Sequence, residues 1–297
     1  MLTSTTVSPI VTVRQDTFDT AQTEQSVLCM EVSKDHFRFS YLDSQKRIAW
    51  LEDFAFPSLL TERSLADNLP AIFQDHSVLP AGPWQQVLVS VNSPAFTLIP
   101  KPLFRKEYAS SYMTLMRGSA LPPHEYAHFF EQPNENFVSV FNVEHRLANY
   151  LAGVYPLQNL TFVHQTTALI TASAAVDRHL ISTQNLLLYF EDEFATVILR
   201  SNRELRFCNR FGFKNPLDLT YYLLYVIEEL RLEPYSVNVL LYGEITPFAD
   251  TYLQLAEFLP HMVFGQTPAG IRFDGDNFDD LPEHRYLSLY GLSLLTA

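Results

Sequence analysis

The sequence predicts an α/β protein built from two successive mixed sheets, and three observations carry that prediction. Hydrophobic residues make up 47% of the 297-residue chain and charged residues 18%, the balance of a globular protein with a substantial core. Each half opens with three short strand-like runs joined by very short polar turns. After each trio the pattern changes to alternating helices and strands, as parallel strands joined through helical crossovers require.

The first 25 residues are a polar arm rich in Ser, Thr and Gln. Strands are expected over residues 26–32, 36–43 and 47–56, joined by Ser33-Lys34-Asp35 and Ser44-Gln45-Lys46 as in two successive hairpins. A helix follows over residues 58–74, with Pro57 ahead of Ser58 as its start signal. Strands over 86–91 and 96–99 and a helix over 102–116 come next. The proline-rich, polar stretch 118–136 reads as a loop or insertion. A strand over 137–141, a helix over 143–154, a strand over 160–163 and a helix over 166–180 complete a first subdomain spanning 26–183.

The second subdomain, 184–297, repeats the order of elements without a residue-level repeat. Its strands are expected over 186–190, 194–200 and 204–213, followed by a helix over 216–230. That helix has a well-marked start: Asn215 can cap it, Pro216 suits its first turn, and Asp218 places a carboxylate at its N-terminus. Its body, Tyr221-Tyr222-Leu223-Leu224-Tyr225-Val226-Ile227, is apolar nearly all round, which predicts cover on more than one side and tyrosines in the core. A strand over 237–241, a helix over 247–258 and a strand over 262–264 follow.

The charge balance excludes some functions. With 20 Lys+Arg against 33 Asp+Glu and a formal charge of −13, the chain lacks the positive surface that nucleic acids or anionic membranes demand. No apolar run approaches the roughly 18 residues of a membrane helix, and the start does not read as a secretory leader, so the sequence predicts a cytoplasmic protein with no membrane insertion. Cys29 and Cys208 sit in separate apolar runs and are expected as buried free thiols. Glycine is scarce: nine residues, about 3%, against a usual ~7%. Phosphate-cradling loops depend on glycine for tight turns and close backbone approach.

Short chemical motifs are present but incomplete. His124-Glu125-Tyr126-Ala127-His128 has the spacing with which a helix presents two zinc ligands and a general base. Pro122-Pro123 and Pro133 leave it barely two helical turns, so a surface loop without metal is the expectation. Asp274, Asp276, Asp279 and Asp280 resemble a calcium loop, yet Asp279 stands where an EF-hand requires glycine, and a solvated acidic loop is expected. Gly265 and Gly270 have the spacing of a phosphate loop, but Ile271-Arg272 replace its Lys and Ser/Thr, and no Gly-x-Ser-x-Gly elbow is present.

Three segments carry a family resemblance: Phe141-Asn142-Val143 leading into a helix; residues 205–213 (LRFCNRFGF) followed by residues 218–224 (DLTYYLL); and residues 240–245 (LLYGEI). On these the chain resembles the bacterial domain-of-unknown-function family 3822, from about residue 26 to near the C-terminus. The resemblance implies an actin-like ATPase fold of two ribonuclease-H-like halves and brings no activity with it. Members of the wider superfamily that hydrolyse ATP carry Asp-x-Gly in the first hairpin of each half and a Gly-Gly pair near the adenosine. The corresponding turns here hold Ser33, Lys34 and Asp35 in the first half and Glu191, Asp192 and Glu193 in the second, with no glycine in either. At the adenosine position Gly243 is kept and Glu244 replaces the second glycine. The expectation is a scaffold or protein-binding role, without catalysis, for an unidentified protein partner or a homo-oligomer. Ser33, Lys34, Asp35, Glu191, Asp192, Gly243 and Glu244 would then be a vestigial nucleotide cleft. The alternative is a nucleotide- or metal-dependent enzyme, using ATP and magnesium in an atypical cleft.

Overall fold

The computed structural model describes residues 7–15, 20–56, 64–74, 76–233 and 235–296. The chain divides into two compact units. One comprises Met1–Ala168, Arg272–Asp279 and Leu295–Ala297, and the other Leu169–Ile271 and Asp280–Leu294.

The first unit contains, in chain order, β1 (Val11–Arg14), β2 (Val27–Val32), β3 (His36–Leu42), β4 (Ile48–Ala55), α1 (Leu69–Phe73), β5 (Gln86–Val91), β6 (Phe96–Pro100), α2 (Ala109–Arg117), β7 (Glu125–Glu131), β8 (Phe137–Glu144), α3 (His145–Val154) and β9 (Leu160–His164). The division between units falls within α4 (Gln165–Asp177). Six strands form one sheet in the order β1-β4-β3-β2-β5-β9. Strands β1 to β4 pair antiparallel, while β2 with β5 and β5 with β9 are parallel. A separate antiparallel sheet, β6-β8-β7, packs on α2 through Met113, Val138 and Val140.

Four expectations for this unit change. The polar arm contributes β1, because Val11-Thr12-Val13 is a β-branched run that pairs with β4 and extends its sheet. Residues 118–136 contain β7, whose Ala127 and Phe129 pack on the cluster beneath α2. Of the helix expected over 58–74, residues 58–63 lie outside the described residues. The rest is a 3₁₀ turn capped by Ser64, whose hydroxyl accepts from Ala66 N, followed by the short α1. The helix expected from residue 102 begins as two 3₁₀ turns, becomes α-helical at Ala109, and ends at Gly118 in the left-handed conformation (φ 71°).

The second unit contains β10 (Gln184–Phe190), β11 (Phe194–Ser201), β12 (Glu204–Gly212), α5 (Pro216–Glu229), β13 (Asn238–Gly243), α6 (Asp250–Ala256), β14 (Met262–Phe264) and α7 (Leu287–Leu294). Its sheet runs β12-β11-β10-β13-β14, antiparallel on the β12 side of β10 and parallel on the other. Apart from β1, each main sheet therefore carries three antiparallel strands followed by two parallel ones, as the order of elements in the sequence predicts. The start of α5 is capped as expected, Asn215 Oδ1 accepting from Asp218 N at 3.0 Å. Leu219, Leu223 and Ile227 face the core with Leu186, Leu188, Val197 and Val239. The tyrosines differ from expectation. Tyr221 is 67% and Tyr225 53% exposed, so α5 is covered on one face only. Helix α7, buried along nearly its whole length, was not anticipated; Ser288 meets the Tyr189 hydroxyl at 2.8 Å.

Candidate functional site

In the first unit the β2–β3 turn is closed by a side chain. Ser33 N donates to His36 O at 2.9 Å, and the Ser33 hydroxyl both accepts from His36 N (2.9 Å) and donates to His36 O (3.0 Å). Ser33 is buried, Lys34 points to solvent, and Asp35 O accepts from Phe56 N at 2.7 Å. A serine thus performs the local closure that a bare glycine backbone leaves open to a ligand.

Behind this turn lies a buried charge cluster that the sequence reading missed. Glu31 faces Arg38 across β2 and β3, and Arg38 faces Asp53 across β3 and β4. Arg38 pairs with Glu31 at 3.4 Å and with Asp53 at 3.2 Å, and His36 Nδ1 meets Asp53 at 2.8 Å. Asp53, Glu31 and Arg38 are at most 3% exposed. Charges this deep persist only when they neutralise one another. A second pair sits on the neighbouring residue of β4, where Glu52 accepts from Trp50 Nε1 (3.0 Å) and contacts His76 Nε2 (2.9 Å).

In the second unit the turns holding Glu191–Asp192 and Gly243–Glu244 lie side by side at the carboxyl ends of the adjacent parallel strands β10 and β13, where open α/β sheets place their ligands. Glu244 N donates to Phe190 O at 2.9 Å, and Gly243 N to His284 O at 2.9 Å. Gly243 (φ 85°) is pressed so tightly on β10 that a Cβ would lie 2.2 Å from Phe190 O. Its lack of a side chain is required by this packing alone. Two of the carboxylates are already engaged: Arg210 pairs with Glu191 at 3.1 Å while lying over the Phe194 ring, and Arg285 pairs with Glu244 at 3.1 Å. Asp192 and Glu193 are exposed.

A cavity of about 480 Å³ in the same unit is lined by Val176, His179, Leu240, Tyr242, Phe264 and Gly265, among others, and by none of the four turn residues. Burial raises the Tyr242 hydroxyl above its ordinary pKa, and it donates to Gln266 O at 3.0 Å. The ring also explains Gly265, where a Cβ would fall 1.9 Å from it.

The remaining motifs take ordinary structural roles. His124 precedes and His128 lies within strand β7, so the two are not four apart on a helix and the spacing that would present both to one zinc does not apply. His128 packs among Phe129, Phe141 and Phe162, and desolvation lowers its pKa. Glu125 accepts from Asn142 Nδ2 at 2.8 Å and pairs with Arg117 at 3.3 Å. Of the acidic C-terminal residues, Asp274 pairs with Arg47 at 2.8 Å, and Asp276, Asp279 and Asp280 are exposed. Among the described residues no group of three or more His, Cys, Asp or Glu side chains is arranged to hold a metal ion. Cys29 is buried as expected and Cys208 only half-buried, and desolvation pushes the Cys208 thiol up to about 12. Among the described residues no helix is long and apolar enough to cross a membrane.

Comparison with known proteins agrees with this architecture. The chain is similar to a protein of unknown function with an actin-like ATPase fold from Bacteroides thetaiotaomicron, at 19% identity and a TM-score of 0.77, over 93% of this chain and 98% of that one. It is also similar to a chain of the PilM–PilN type IV pilus biogenesis complex, at 15% identity and a TM-score of 0.64, over 91% and 98% of the two chains. No curated protein matches the sequence. The family described as "Protein of unknown function (DUF3822)" matches residues 15–262. The chain has the actin-like ATPase fold and belongs to this family.

Proposed function

We propose that the protein is a non-catalytic scaffold of actin-like fold that holds a protein partner in the cytoplasm and retains only a vestige of a nucleotide site. The observation that carries this reading is the internal use of the second unit's turns. Glu191 and Glu244 are taken by Arg210 and Arg285, and Gly243 is committed to its contact with Phe190. A nucleotide would bring further negative charge to exposed Asp192 and Glu193, where like charges repel. At the other turn, Ser33 uses its hydroxyl and amide on His36. These residues fit a phosphate and its magnesium poorly, and no reaction step is assigned to them. The PilM–PilN complex supplies a precedent for a chain of this fold working through a protein partner.

Thermal unfolding with ATP or ADP, with and without magnesium, tests the reading. A site with a dissociation constant of ~0.1 mM would gain roughly 2 kcal/mol at ~5 mM ligand, enough to raise the Tm by a few degrees. The expected result is no shift. A magnesium-dependent rise that Glu191→Gln or Asp192→Asn alters would replace the scaffold with a nucleotide-dependent enzyme.

A further inference from the structure

Strand β12 is the longest named strand, at nine residues, and stands at the outer edge of its sheet. Long open edges invite pairing with another chain and are ordinarily shortened or covered. The chain does both elsewhere: β14, at the opposite edge of the same sheet, has three residues, and β4, which corresponds to β12 in the first unit, is covered by β1. Among the described residues no backbone group outside β11 bonds to β12.

The direction of its backbone amides follows from its register. Phe213 N donates to Glu193 O on the β11 side, and alternation turns the amides of Phe211, Asn209 and Phe207 the same way, leaving those of Cys208, Arg210 and Gly212 facing outward. The Arg210 amide is met by the neighbouring Asn209 Oδ1 at 2.9 Å, a side chain standing where a further strand's carbonyl would be. Asn209 itself is exposed, and pairing with β11 is regular from Phe207 to Gly212.

We propose that β12 is the self-pairing edge of a symmetric dimer, in which two copies align this strand antiparallel about a two-fold axis at Asn209 and join their five-stranded sheets. The sequence around that axis is self-complementary. Phe207 of one copy comes opposite Phe211 of the second, on the face where the two rings already stack with each other and Phe211 stacks on Tyr222. Such aromatic cross-strand pairs favour antiparallel association. Arg206 comes opposite Gly212 and Arg210 opposite Cys208, so no arginine faces another. Exposed Leu217, Tyr221 and Tyr225 on α5 lie on the same face of the sheet. This inference does not depend on whether a nucleotide binds.

Sedimentation velocity of the purified full-length chain, combined with a cysteine at the axis, decides the matter. Opposed residues of a non-hydrogen-bonded pair have Cα atoms about 4.5 Å apart, within disulfide range. Asn209→Cys is therefore expected to give a disulfide-linked dimer under mild oxidation, while the unsubstituted chain and Leu217→Cys do not. Asn209→Lys, which opposes two cations at an exposed position, is expected to weaken the dimer about tenfold with its Tm retained. A monomer at ~50 µM, a dimer that Asn209→Cys fails to link, or a dimer indifferent to Asn209→Lys would each overturn the proposal.

Discussion

One residue back from its hairpin turn, the first sheet crosses Ser90, Glu31, Arg38 and Asp53 in a single row; the same row of the second sheet reads Tyr242, Tyr189, Thr196 and Arg210. The strands run in the same directions and the registers correspond, yet one row is a buried charge cluster and the other mostly hydroxyl-bearing side chains. In the first, charge balance must be met inside the sheet. In the second, Tyr189 meets Ser288, Tyr242 donates to Gln266 O, and the arginine reaches outward to Glu191 at the turn. Topology therefore dictates where a row lies but leaves its chemistry open.

Substitutions can break this comparison at several strengths. Arg38→Leu should do most damage, because it leaves Glu31 and Asp53 buried without their cation; a loss of about 3–5 kcal/mol is expected in urea unfolding. Gly243→Ala comes next, at about 3 kcal/mol, from a left-handed φ together with the clash on Phe190 O. Gly118→Ala, also left-handed but with nothing within 4 Å, isolates the conformational part and should cost about 1 kcal/mol. Arg210→Leu, the counterpart of the first change in the row, should cost less, about 1–2 kcal/mol, since it leaves one carboxylate without its cation instead of two and Glu191 is less deeply buried than Glu31 and Asp53. Equal losses for Arg38→Leu and Arg210→Leu would contradict the contrast between the two rows. Thr12→Ala should be smallest, about 0.5 kcal/mol, removing one hydrogen bond of 3.3 Å to Glu52 while leaving β1 paired.

Much of the frame was legible in the sequence because it depends on local signals. Polar turns at residues 33–35 and 191–193 mark the hairpins, and Asn215-Pro216 marks the start of α5. The register of Glu31 against Arg38 also follows from the first turn, so half of the charge cluster was readable before the structure. Asp53 was not, because its place depends on the bulge where β3 meets β4 near Tyr41. Strand β1 is four residues in a polar arm, and β7 lies between prolines, so neither carries enough periodicity to stand out. The candidate turns were located by analogy with a superfamily pattern, but the partners of their side chains were invisible. Arg285 is 41 residues from Glu244, and Gly243 is constrained by a strand 53 residues earlier. The exposure of Tyr221 and Tyr225 had no signal either, since an all-apolar helix does not state how many neighbours cover it.

The segment Arg272–Asp279 belongs to the first unit although it follows nearly the whole of the second. Ile48 N donates to Arg272 O at 2.8 Å, Asp274 N returns to Ile48 O at 2.9 Å, and Arg47 pairs with Asp274. On the ribosome the chain emerges from its N-terminus at about 5–20 residues per second. The turn end of the β3–β4 hairpin therefore waits some 225 residues for the segment that pairs with it, on the order of ten to forty-five seconds of synthesis. The unit that begins to form first is the one that finishes late, and throughout that interval Arg47 must make do with Asp43 alone of its two carboxylate partners.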